Sequence, residues 1–80
     1  MRLTNLPQSL TSKGDHLVTV RLNGGTAKIQ YSVGADVAMA DLPDSTYTVD
    51  TDEIKTLCAC KIQGVLTGGA TIDINIATRS

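Results

Sequence analysis

The sequence predicts an all-β protein, a small antiparallel sandwich or barrel (jelly-roll-like) of six to eight short strands. Several stretches alternate apolar and polar residues with a period of two, which is the repeat of a half-buried β-strand. Turn-forming residues separate these stretches at short intervals, as they do in sandwiches and barrels. No stretch shows the 3.6-residue repeat of an amphipathic helix.

The length of 80 residues predicts a single β domain over residues 1–80. A chain of this size buries a small share of its surface, and this one contains no Phe and no Trp to enlarge its core. Small domains commonly gain stability from disulfides, metals or partner subunits. Because the sequence favours neither of the first two, we expect a homo-oligomer or a protein that docks on a larger assembly.

The first 15 residues allow two interpretations. Pro7 interrupts a short apolar stretch over residues 3–10, and a turn-like segment follows at residues 12–15. Proline cannot donate a hydrogen bond to a β-ladder, so the stretch is either an edge strand broken at Pro7 or part of an extended N-terminal arm over residues 1–15 that contacts a neighbour.

Two glycine pairs separate the clearest strands. Glycine adopts positive φ without a steric penalty, so we expect both pairs to form β-hairpin turns, at Gly24, Gly25, Gly68 and Gly69. The flanking alternation predicts a core of Val18, Val20, Ile29, Tyr31, Ile72, Ile74 and Ile76. The apolar phase after the two pairs differs by one residue, which favours two independent hairpins over an ancient duplication.

The remaining segments are an acidic middle and a cysteine-containing strand. Residues 34–53 hold six acidic residues and no Lys or Arg, with a turn over residues 42–45 and short strands over residues 37–40 and 46–49. Residues 57–62 are expected to form a strand. The isoleucine-rich strand over residues 72–76 carries few charges, so we expect it to be central or covered by another subunit.

No set of residues predicts catalysis or a cofactor. Cys58 and Cys60 are too few for a structural zinc site even with the single His16, and two small, buried apolar side chains are the favoured interpretation. His16 has no candidate nucleophile with an evident means of activation, and we expect it at a surface or an interface. The aspartates of the middle segment match no calcium-loop spacing. We therefore expect no enzyme activity, no bound metal and no cofactor.

Charge and hydropathy narrow the expected partners. The net charge is −1 and no cluster of Lys or Arg is present, which argues against nucleic-acid binding. The apolar stretches are too short to span a membrane, and no signal peptide is evident, so we expect synthesis in a cytoplasm.

Residues 18–32 and 60–72, VTVRLNGGTAKIQYS and CKIQGVLTGGATI, resemble small β-sandwich virion proteins of tailed phages, such as decoration (cement) proteins, head fibres and tail accessory proteins. The resemblance lies in Thr, Gly and Val content and in alternating strands. It implies a homo-oligomer, with a trimer favoured, that binds a major capsid or tail protein in the virion and catalyses no reaction. A small module that binds a host glycan through Tyr31 and Tyr47 is the alternative.

Overall fold

The computed structural model describes residues 1–34 and 37–77, and within them it contains seven strands, two antiparallel sheets and no helix. This confirms the predicted all-β class and is consistent with a small β-sandwich. The strands are β1 (Gln8–Leu10), β2 (Gly14–Arg21), β3 (Ala27–Ser32), β4 (Ala40–Tyr47), β5 (Thr51–Leu57), β6 (Cys60–Leu66) and β7 (Thr71–Ile76).

The chain changes sheet at most of its connections. One sheet has four strands in the order β1-β6-β3-β4, and the other has three in the order β5-β2-β7. Within the described residues, β3 and β4 are the one pair of consecutive strands that are hydrogen-bonded neighbours. Non-local pairing therefore dominates the fold.

The core lies between the two sheets and is formed by the inward residues of each alternating strand. Of the seven residues expected there, Val18, Val20, Ile29, Ile72 and Ile74 are buried. Tyr31 is half-buried. Ile76 is 58% exposed, contrary to expectation, because it lies at the end of β7 beside an open groove.

The prediction that the glycine pairs form hairpin turns is wrong. Gly24 and Gly25 join β2 to β3, and Gly68 and Gly69 join β6 to β7, but the strands of each pair belong to different sheets. Both glycine pairs are therefore corners that carry the chain from one sheet to the other. Alternation alone does not distinguish the two arrangements, because a strand shows the same apolar face whether it pairs with the next strand or packs opposite it.

The two corners interlock. Because β2 pairs with β7 and β3 pairs with β6, the corners lie side by side. The Thr67 N–H donates to the Thr26 carbonyl (3.0 Å), and the Thr26 N–H donates to the Thr67 hydroxyl (2.9 Å). A Cβ at Gly25 would overlap the Thr67 carbonyl oxygen, so this close approach requires glycine.

Residues 1–5, here called the N-terminal strap, lie along the side of the sandwich formed by β7 and β6. The Leu3 N–H donates to the Ile72 carbonyl (2.9 Å), and the Ile74 N–H donates to the Met1 carbonyl (2.7 Å). Thr4 then accepts from the Gly64 N–H (2.9 Å), so the strap passes from one sheet to the other. The isoleucine-rich strand β7 is thus an edge strand covered by its own chain, whereas a central position or cover by another subunit was expected.

The segment that follows the strap completes this side. β1 is the edge strand of the four-stranded sheet and pairs with β6 in the register Gln8↔Ile62. The Leu3 side chain, 1% exposed, inserts into the core. Both parts of the N-terminal segment, the strap and the short strand, therefore contact the domain itself.

The strand expected over residues 57–62 is divided in two. β5 ends at Leu57, Cys58 and Ala59 form a connection, and β6 begins at Cys60. The physical reason is that Leu57 and Ile62 enter the core from opposite sheets, so the chain must cross between them.

Candidate functional site

The most distinctive surface of the molecule is the edge of β5, on the side opposite the strap. β5 and β7 flank β2 in the three-stranded sheet. The outward edge of β7 is covered by the strap, whereas no strand of the described chain pairs with the outward edge of β5. Exposed strand edges of this kind are templates for pairing with another chain.

The register defines which backbone groups lie on that edge. Ile72 and Ile74 bond to the strap, so the alternate residues of β7, such as Asp73, bond to β2. Asp73 lies opposite Thr19, so the backbone N–H and C=O of Thr19 point toward β7. The backbone groups of the next residue, Val18, therefore point the other way, toward Glu53 of β5. By the same alternation, the outward N–H and C=O groups of β5 belong to Asp52, Ile54 and Thr56. We call these three residues the β5 edge.

A polar network closes the core beneath the β5 edge. The Tyr47 hydroxyl donates to Glu53 (2.9 Å), and the Lys55 ammonium lies 3.1 Å from the same carboxylate. Lys55 also donates to the carbonyl of Asp44 (3.1 Å). Burial, together with the hydrogen bond to Glu53, raises the pKa of Tyr47 well above its ordinary value. These inward polar groups link β5 to the opposite sheet without covering its outward edge.

The neighbouring edge strand, β4, is poorly suited to pairing. Its register with β3 jumps from Lys28↔Thr46 to Gln30↔Asp41, so four residues of β4 bulge opposite one of β3. The bulge contains Pro43, which has no N–H, and Asp44 at a positive φ of 55°. β5, in contrast, is seven residues long and contains neither Gly nor Pro.

An apolar pair lies on the outer face beside the β5 edge. Leu17 of β2 and Ile54 of β5 are direct register partners, and both are exposed. Arg21 pairs with Asp52 (3.0 Å), and Thr56 donates to Asp15 (2.7 Å), on either side of them. Among the described residues, the exposed large hydrophobic residues are Leu6, Leu17, Val33, Val37, Val49, Ile54 and Ile76.

A second candidate is an open groove of about 510 Å³ at the end of the sandwich, lined in part by Leu10, Ser12, His16 and Ile76. His16 is 1% exposed, contrary to the expectation of a surface position. Its Nδ1 donates to the Gly14 carbonyl (2.8 Å), so its Nε2 accepts from the Ser12 hydroxyl (2.8 Å) in the neutral ring. The hydroxyl thereby satisfies a buried ring nitrogen, as buried polar groups require.

The cysteines line a small cleft of about 110 Å³ with Tyr31 and Leu42. Both are free thiols, but Cys58 is exposed and Cys60 half-buried, whereas both were expected to be buried. Cys58 is exposed because it lies in the connection between β5 and β6 and not on a strand face. Burial, reinforced by the neighbouring Cys58, raises the pKa of Cys60, which lowers its thiolate fraction and reactivity. The environment of Cys60 is therefore typical of an unreactive cysteine.

Several acidic side chains of the middle segment bond to neighbouring residues. Asp50 accepts from the Leu22 N–H (2.8 Å), and Asp41 accepts from Gln30 (2.9 Å) beside Lys28. Over residues 1–34 and 37–77, no group of three or more His, Cys, Asp or Glu side chains is arranged to hold a metal ion. The ring of Tyr47 is buried, so it does not offer the face on which a sugar stacks.

Sequence reasoning did not single out Ile54, Glu53 or Lys55. The available signal was the run Asp52-Glu53-Ile54-Lys55-Thr56, in which an acid and a base flank a central isoleucine in a strand without glycine or proline. The Ser12–His16 pair was also missed, because Ser12 lies in the loop between β1 and β2 and His16 lies in β2, so no strand repeat relates the two residues.

No family model, no curated protein and no solved structure matches this chain. Among the described residues, no helix is long and apolar enough to cross a membrane.

Proposed function

We propose that this protein is a structural component of a larger assembly, namely an accessory protein of a tailed-phage virion that decorates or stabilises a capsid or tail. The observation that carries the proposal is the β5 edge, a regular strand edge next to the exposed Leu17–Ile54 pair. Exposed edges and adjoining apolar surface are normally covered in proteins that act alone.

Two further observations support this proposal. The sequence resembles small virion sandwich proteins over residues 18–32 and 60–72. Among the described residues, the hydrophobic core contains one aromatic side chain, Tyr47, and is otherwise built from aliphatic side chains, so contacts with neighbours would add substantially to its stability. In this proposal the chain is made in the host cytoplasm, associates with itself and then binds a major capsid or tail protein.

The test is the presence of the protein in purified particles. Virions released from a host that carries the gene are banded on a density gradient and analysed by quantitative mass spectrometry. We expect the chain in a fixed, multi-copy ratio to the major capsid or tail protein across particle fractions. Abundance in the lysate together with absence from the particles would contradict the proposal.

A further inference from the structure

We propose that two copies of this chain associate through their β5 edges, in an antiparallel, two-fold symmetric pairing centred on Ile54, which joins two three-stranded sheets into one sheet of six strands. The inference rests on the proposed function, because it names the self-association through which the assembly would be built. It assigns both the partner, a second copy, and the register.

The backbone geometry is self-complementary in this register. Pairing Ile54 with Ile54 of the second copy places Asp52 opposite Thr56 of that copy, and the reverse. All three members of the β5 edge direct their N–H and C=O groups outward, so each meets a residue of the same orientation. The contact is isologous, as two-fold interfaces require.

The side chains favour the same register. On the inner face, Glu53 comes opposite Lys55 of the second copy, and this happens twice in the pair. Moving the centre to residue 53 would place two glutamates opposite each other, and moving it to residue 55 would place two lysines opposite each other. Opposite charges across a strand pair stabilise it and like charges destabilise it.

The outer face gains a continuous apolar row. Leu17 and Ile54 are already neighbours across β2 and β5, and the pairing adds the same two residues of the second copy. The row then reads Leu17, Ile54, Ile54, Leu17 across four strands. A two-fold contact gives a dimer or an even-numbered assembly, so it differs from the trimer that the resemblance implies.

Charge reversal in trans tests the register. The variants E53K and K55E each place like charges opposite each other in a homodimer, and we expect self-association to weaken about tenfold or more. In an equimolar mixture, a heterodimer restores opposite charges at both contacts, because one chain then carries two lysines and the other carries two glutamates. The mixture should form heterodimers with an affinity close to that of the wild type, measured by native mass spectrometry and sedimentation velocity at physiological salt.

Matched controls separate this effect from net charge and from folding. D41K and K28E change single charges on the other sheet, and each should self-associate like the wild type. I54K places a charge at the centre of the pairing and should abolish the dimer. Because Ile54 is 53% exposed in the single chain, the circular dichroism spectrum and the melting behaviour at a low, monomeric concentration should stay unchanged. V33K, at an exposed valine that follows β3 of the other sheet, should leave the dimer intact.

Three outcomes would overturn the inference: a wild-type chain that stays monomeric at millimolar concentration, an I54K variant that still self-associates, or a mixture of E53K and K55E that does not associate. None of these three outcomes tests whether the protein binds to particles. A monomeric chain found in virions would support the proposed function and contradict the β5 pairing. A β5-paired dimer that is absent from virions would support the pairing and contradict the proposed function.

Discussion

The two edge strands of the three-stranded sheet differ in whether other parts of the chain cover their outward backbone groups. β7 carries the buried Ile72 and Ile74, and the strap covers its outward groups with backbone hydrogen bonds. β5 carries the inward-facing Glu53 and Lys55, and its outward groups meet no strand of the described chain. An apolar edge is thus covered within the molecule, whereas a charged, regular edge is left uncovered by the described chain.

Each of the two edge strands also forms one Arg–Asp ion pair on the outer face. Arg2 of the strap pairs with Asp73 of β7 (2.9 Å), and Arg21 of β2 pairs with Asp52 of β5 (3.0 Å). The first pair fastens the cover to the edge, while the second joins two strands of the sheet and leaves the edge itself open. The two edges therefore differ mainly in whether backbone hydrogen bonds and the inserted Leu3 side chain of the strap cover them, and less in their surface ion pairs.

The largest expected effect is at the anchor of the strap. Leu3→Ala should lower the free energy of unfolding by about 3–4 kcal/mol, because it removes a buried side chain from the core and releases the cover of β7. Urea denaturation measures this, and light scattering reports the aggregation expected from an uncovered β7. Leu6→Ala, in the same segment at 72% exposure, should change stability by less than about 0.5 kcal/mol. Equal effects of the two variants would show that the strap does not cover the edge as described.

The next largest effect is expected at the glycine corners, which connect β2 to β3 and β6 to β7 and contact each other. Gly25→Ala should destabilise the fold by about 2–3 kcal/mol, because the new methyl group meets the Thr67 carbonyl. Gly24→Ala meets open space and carries only the strain of a positive φ, about 1 kcal/mol. Thermal and urea unfolding of both variants measure the difference, and a larger loss for Gly24→Ala would contradict the interlocked corners.

A smaller effect is expected beneath the β5 edge. Tyr47→Phe removes the hydroxyl that donates to Glu53 and should lower stability by about 1 kcal/mol. Tyr31→Phe is the matched control, since within the described residues its hydroxyl donates no hydrogen bond, and its effect should stay within about 0.5 kcal/mol.

The smallest effects concern the two surface ion pairs. The hydrogen bond from Arg2 lowers the pKa of Asp73, and the one from Arg21 lowers the pKa of Asp52. A lowered carboxyl pKa stabilises the fold above the ordinary value of 3.8, and this contribution is lost as the pH falls through the folded pKa. In Arg2→Ala, NMR titration should show the pKa of Asp73 returning toward its ordinary value while that of Asp52 stays low. Arg21→Ala should give the reverse, and a simultaneous change of both carboxyls would contradict separate pairs.

The sequence predicted the fold class because alternation and turn residues are local properties. Val18, Val20 and Ile29 could be placed in the core from their period alone. Sheet membership could not be predicted, because β2 pairs with β5 and β7, which lie far along the chain. The glycine corners were consequently mistaken for hairpins.

The candidate site depended on the same missing information. Whether a strand is central, covered or open follows from strand order, and the strap contacts residues 71 positions away in the sequence, as Arg2 does with Asp73. Ile76 was expected in the core from its phase, yet its position at the end of β7 exposes it. Phase indicates which face a residue occupies, but not whether another strand lies over that face.

Amide hydrogen exchange tests the difference between the two edges most directly. Exchange is followed by NMR at a low, monomeric concentration and at a high concentration. The amides of Asp52, Ile54 and Thr56 should exchange rapidly at low concentration and become protected at high concentration. The amide of Ile74, which donates to the Met1 carbonyl of the strap, should be protected at both. Protection of the β5 amides at low concentration, or concentration-dependent protection of the Ile74 amide, would contradict a covered β7 edge and an open β5 edge.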